Sequence, residues 1–105
     1  MVNIKVLMNS NIEEVLAFKC CSLPDQNLEI HVSNSSNKAV NIKNYFLLKN
    51  DFETIKVENI YPPRCQTVEP NDIAAFYCSM DDKMFQRYHT LTLFDTDGNS
   101  YSAKI

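Results

Sequence analysis

The chain has 105 residues, 45% of them hydrophobic, with a formal charge of −3 and a pI near 5.2. That is one domain's worth of sequence with apolar material enough for a core, which excludes a disordered chain. The acidic balance argues against nucleic acid or an anionic membrane surface as the main partner, and no stretch approaches the roughly eighteen apolar residues of a membrane span.

Val2, Ile4, Val6 and Met8 alternate with Asn3 and Lys5, the pattern of a half-buried strand over residues 2–8. Polar residues interrupt this opening, so it is no signal peptide. The expected compartment is the cytoplasm if Met1 is the natural start, and export stays open if Met1 is a domain boundary. Residues 12–21 read two ways. Asn11 with Glu14 resembles a capping box, while Leu16, Phe18 and Cys20 alternate as in a strand, and the β-rich surroundings favour a strand over 15–21.

Pro24-Asp25 marks a turn. Leu28, Ile30 and Val32 alternate with Glu29, His31 and Ser33 in a strand near 27–33, and Asn34–Lys38 is a polar connection. A strand near 39–48 turns Val40 and Ile42 inward, then becomes apolar on both faces at Tyr45-Phe46-Leu47-Leu48. A strand over 53–60 sets Ile55 and Val57 against Lys56 and Glu58. Pro62, Pro63 and Pro70 make 61–72 a loop or an irregular edge. A buried strand follows at 73–80, with Ala74, Phe76 and Cys78 on one face, and 81–87 is a charged crossover of about one helical turn.

The chain closes on a hairpin, 88–94 paired with 100–105 around Asp97-Gly98. Leu91 and Leu93 face one side, answered by Tyr101, Ala103 and Ile105, while Ser100, Ser102 and Lys104 face the other. Gly98 is the only glycine, so the residue freest to take a positive φ sits at this tip.

These seven main strands with a leading piece at 2–8 predict an all-β, two-sheet antiparallel sandwich of about seven strands, with a small β-barrel as the rival architecture. The unit from Leu28 to Ile42, a strand, a polar turn and a strand, resembles the second and third strands of immunoglobulin-like and fibronectin-like modules. Tyr88 is similar in position to a tyrosine corner. The resemblance implies an immunoglobulin-like fold over most of 15–105 and a binding role. The chain departs from antibody-type domains in having no tryptophan and no cysteine on its second or sixth main strand, which argues against an antibody-type or receptor role.

Cys20, Cys21, Cys65 and Cys78 form no C-x-x-C pair, and His31 and His89 are too scattered to complete a zinc pattern. Free, partly buried thiols are expected, with one disulfide as the alternative. No cofactor fingerprint is present, and a lone glycine could hardly cradle a phosphate. Asp95, Asp97 and Asn99 alternate like the first half of a calcium loop, which makes a weak calcium- or ligand-responsive module at the Asp95–Gly98 loop the alternative function, although the sixth position is Ser100 where glycine is needed and position twelve lies beyond Ile105. A thiol enzyme using Cys65 or Cys78 with His89 would need a thiolate activated by the imidazole. His89 shares the parity of Leu91 and Leu93 and is expected to face the core, whereas His31 faces solvent.

A surface is the stronger lead. In a seven-strand sandwich the third, sixth and seventh strands share a sheet, and by parity its outer face carries Tyr45, Leu47, Thr92 and Phe94. Such an apolar patch fits another protein or a second copy of the chain, as do open edges at 2–8 and the final strand. Residues 1–9 or 81–87 are the segments expected to cover it if it is not an interface. A second candidate is one pole of the sandwich, where 34–38, 61–72 and 95–98 are expected to meet, with Tyr61, Arg64 and Phe52 as anchors.

Overall fold

In a computed structural model, residues 2–8 and 28–105 are described, except for the side chains of Met8 and Asp82. The expected strand over 15–21, the ambiguity at 12–21 and Cys20-Cys21 lie outside the described residues. Among the described residues, nine strands and one helical turn run in the order β1 (Val2–Met8), β2 (Leu28–Asn34), β3 (Val40–Lys49), β4 (Thr54–Val57), β5 (Ile60–Tyr61), β6 (Gln66–Val68), β7 (Asp72–Cys78), α1 (Asp82–Phe85), β8 (Thr90–Asp95) and β9 (Ser100–Lys104).

They form an all-β sandwich of two antiparallel sheets. One sheet has the order β1-β2-β7-β5. The other has the order β4-β3-β8-β9, with β6 also paired to β3. The period-two pattern sets the faces. Leu28, Ile30, Val32 and Phe76 project inward from the first sheet, Ile42, Phe46, Leu48, Leu91 and Leu93 from the second, and all nine are fully buried. Each such side chain contributes about 1.5–3 kcal/mol of transfer free energy. Phe85 and Met84 of α1 pack against this core and hold the crossover.

The third, sixth and seventh main strands of the sequence pattern, now β3, β8 and β9, do share one sheet. β1 and β9 are the outermost strands of their sheets and pack beside each other on one side of the sandwich. The expected strand over 53–60 divides. It leaves β3 after Val57, and Ile60–Tyr61 joins Cys78 and Tyr77 in the opposite sheet. Within the proline-rich segment, Gln66–Val68 still finds a short edge pairing on Val40–Ile42, as a stretch with no proline at its own paired positions can.

The β8–β9 hairpin pairs Leu93 with Tyr101 and Leu91 with Ala103, the faces that alternation predicts. Its loop is longer than a two-residue turn. Asp95 N–H donates to Asn99 O at 3.0 Å, and Gly98 N–H donates to Asp95 O at 3.4 Å. Gly98, at φ 89°, turns the chain back, the arrangement of a three-residue hairpin loop with glycine in the left-handed region.

Candidate functional site

Tyr45, Leu47, Thr92 and Phe94 lie together on the outer face of the β4-β3-β8-β9 sheet, all half-buried. Leu47 sits opposite Thr92 on one side and Lys56 on the other. The Thr92 and Ser102 hydroxyls are hydrogen-bonded at 2.8 Å. Between Ile42 and Phe46 the register shifts, so that β3 residues 43–45 face the single residue Phe94. This bulge brings Tyr45 against Phe94, with ring centroids 5.5 Å apart and planes 28° off parallel. Lys56 Nζ lies 4.5 Å from the Tyr45 ring centroid and pairs with Glu58 at 2.8 Å. The hydrogen bond to Glu58 raises the Lys56 pKa above its ordinary 10.5. The segments expected to cover this face are placed elsewhere: β1 belongs to the opposite sheet, and α1 packs Phe85 into the core.

The loop pole forms in part. Asn34 Nδ2 donates to Lys38 O at 2.7 Å and Val68 O at 2.9 Å, Asn71 N–H donates to Asn34 O, and Thr96 N–H donates to Asn41 O. Residues 34–38, 68–72 and 95–98 therefore meet. The three named anchors do not. Phe52, 95% exposed, lies at the opposite pole, because its loop is tied by Asn50 Nδ2 to Arg87 O at 3.0 Å. Tyr61 pairs with Tyr77 near the far end of β7, and Arg64 is exposed between the two ends.

Two buried polar side chains hold this pole, and sequence reasoning missed the role of both. Asn34 also accepts hydrogen bonds from Ser36 N–H and Oγ–H at 3.0 and 2.6 Å. Asp95, 3% exposed, accepts four hydrogen bonds. Its Oδ1 takes the Asp97 and Asn99 N–H groups at 2.9 and 2.8 Å. Its Oδ2 takes Asn99 Nδ2–H and Tyr101 O–H at 2.9 and 2.6 Å. Burial alone would raise the Asp95 pKa, but the four hydrogen bonds outweigh it and hold the carboxyl below its ordinary 3.8. Burial and the bond to Asp95 push Tyr101 up to about 12. The overlooked signal was parity: Asp95 shares the inward phase of Leu91 and Leu93. With both oxygens occupied, Asp95 faces away from the solvent side where a calcium ion would gather its ligands.

The thiols and histidines stand apart. Cys78 is buried, and burial raises its pKa to about 11, the opposite of nucleophile activation. Cys65 is exposed and free. His89 does not face the core. It precedes β8, which begins at Thr90, and the exposed imidazole is turned to Thr90 Oγ1 at 2.8 Å and Asp51 Oδ1 at 3.2 Å. Tyr88 is buried, but its hydroxyl donates to Glu53 Oε1 at 2.9 Å, where a tyrosine corner would close on nearby upstream backbone.

His31 points outward as expected, yet it is only half-exposed. Its Nε2 is the one buried side-chain nitrogen or oxygen among the described residues with no hydrogen-bond partner. A cavity of about 280 Å³ adjoins it, lined by Asn3, Ile4, Lys5, His31, Ser33 and Ile73. Alternation alone gave no sign of it, because an outward strand position reads the same whether it meets open water or a recess.

Fold and surface together define a two-sheet β-sandwich with a patterned outer face. No protein-family model matches the chain, and no curated protein matches it in sequence. Among the described residues, no helix is long and apolar enough to cross a membrane.

Proposed function

We propose that this chain is a non-catalytic interaction or structural module, an immunoglobulin-like sandwich that binds a second copy of itself or another protein. The contact is the outer face around Tyr45, Leu47, Thr92 and Phe94, with the edge strands β1 and β9 as the secondary surface. The observation that carries this reading is the half-buried Tyr45–Phe94 stack, flanked by Leu47 and by Lys56 over the tyrosine ring. Stacked aromatics are what interface cores favour over ordinary surface, and the Lys56–Glu58 pair beside them suits the polar rim.

The test is the solution mass over a concentration series, for the wild type and for Phe94→Asp. Phe94 lies at the last rung of the β8–β9 hairpin and outside the core, so the substitution leaves the core side chains in place, and a urea melt of the variant checks that it folds. The expected result is a concentration-dependent dimer that the aspartate abolishes. A strict monomer, or a dimer indifferent to the substitution, rejects this face as the self-contact.

A further inference from the structure

We propose that the outer face of the β1-β2-β7-β5 sheet holds a binding site for a small carboxylate with a short apolar tail. The site is the cavity lined by Asn3, Ile4, Lys5, His31, Ser33 and Ile73. It lies on the sheet opposite the Tyr45–Phe94 face and shares only β1 with the secondary surface of the interaction reading, so a ligand titration and a solution-mass measurement test the two separately.

Strand register builds it. Asn3 pairs with Ser33, which pairs with Ile73 across β7; two residues along, Lys5 pairs with His31, which pairs with Ala75. Residues two apart share a face, so the four polar side chains stand on two adjacent rungs, with cross-strand neighbours about 5 Å apart at Cβ. No described side chain forms a hydrogen bond or ion pair with Asn3, Lys5 or Ser33, and His31 Nε2 is buried without a partner. Buried polar atoms are nearly always satisfied, so an orphaned imidazole nitrogen beside a cavity calls for a partner from outside the chain, which a carboxylate oxygen supplies to the Nε2–H tautomer. The one carboxylate on the same face of β2, Glu29, stands on the next rung opposite Leu7 and has an interaction of its own.

The lining selects the ligand class. An ammonium, an imidazole N–H, a hydroxyl and an amide present donors with one positive charge, which suits a monoanion's two oxygens. A dianionic phosphate would lack the bidentate or multiple cationic partners it favours. Ile73, 63% exposed, gives the cavity an apolar flank for a tail. The volume of about 280 Å³ matches about nine waters at ~30 Å³ each and falls just under the range for drug-sized ligands. The occupant is therefore a molecule of about eight to twelve heavy atoms.

The probe is hexanoate, titrated into the full chain and followed through backbone amide shifts. Hexanamide, inorganic phosphate and N-acetyl-leucine, a mimic of a peptide C-terminus, serve as comparators. Expected is saturable 1:1 binding of hexanoate or N-acetyl-leucine with shifts clustered at residues 3–5, 31–33 and 73; whichever is tighter tells a free acid from a peptide terminus. Hexanamide and phosphate bind at least about tenfold more weakly. Lys5→Gln and His31→Gln each weaken the carboxylate at least about fivefold, and Lys104→Gln, on β9 of the other sheet, changes nothing. No saturation up to about 20 mM of either carboxylate, equal binding of hexanamide, or equal affinity in Lys5→Gln overturns the proposal.

Discussion

Replacing Asp95 by alanine removes the acceptor of four hydrogen bonds at one stroke. Two of its donors, the Asp97 and Asn99 amides, belong to exposed residues and can turn to water. Each is therefore worth about 0.5–1 kcal/mol. The half-buried Tyr101 hydroxyl, 2.6 Å from Oδ2, has less access to water. A hydrogen bond from it to a charged group is worth about 1.5 kcal/mol or more. With the smaller share of Asn99 Nδ2, the loss comes to about 3 kcal/mol, or about 12 °C in melting temperature for a domain of this size. Asp95→Asn keeps one acceptor oxygen and loses about half as much. The assay is urea unfolding at neutral pH and again at pH ~2.5. The folded carboxyl titrates below its ordinary 3.8, so its stabilisation is fully present above that value and is lost as pH falls through the folded one. The gap between wild type and Asp95→Ala must therefore narrow in acid. A loss under about 1 kcal/mol at pH 7, or a gap of the same size at both pH values, refutes the reasoning.

Further outcomes follow from the same pole and from the core. Gly98→Ala places a Cβ in open space, so its cost is the backbone strain of φ 89° alone, about 1–2 kcal/mol. Gly98→Asn costs less, because asparagine tolerates the left-handed region, and denaturant midpoints of the two variants check the order. In alkali, Cys78 titrates at about 11 when folded and about 12 is reached by Tyr101, against ordinary values of 9.0 and 10.0. Tyr88 shifts the same way through burial and its bond to Glu53. Raised folded values mean stability that is complete below the ordinary pKa and lost as pH climbs to the folded one. Unfolding midpoints fall from about pH 9 upward, and Tyr101→Phe blunts the upper part of that fall. Millimolar calcium leaves the melting temperature unchanged relative to chelator, because both Asp95 oxygens already accept two protein donors each. A rise in melting temperature with calcium would show by mass action that the loop opens to bind the ion.

What the sequence by itself determined is the facing of each strand. Period-two alternation is a local property, so Leu28, Ile30 and Val32, or Leu91 and Leu93, are inward wherever their strands end up. For the same reason Tyr45, Leu47, Thr92 and Phe94 could be assigned to one outer face. The lone glycine marked the hairpin because only that residue takes φ 89° without strain. What only the tertiary structure decided is everything set by a distant neighbour. Ile60 joins the sheet opposite Val57 because Cys78 offers it a partner there. Tyr45 meets Phe94 only because the β3 bulge sets three residues against one. His89 shares its phase with Leu91 yet is exposed, since it lies before the first residue of β8 and its ring turns to Asp51 and Thr90. Asp95 has the inward phase that alternation predicts, and its charge is tolerated there because Asp97 and Asn99 of its own turn and the Tyr101 hydroxyl close around it. Alternation says which way a side chain points; the pairing of strands far apart in the chain decides what it meets.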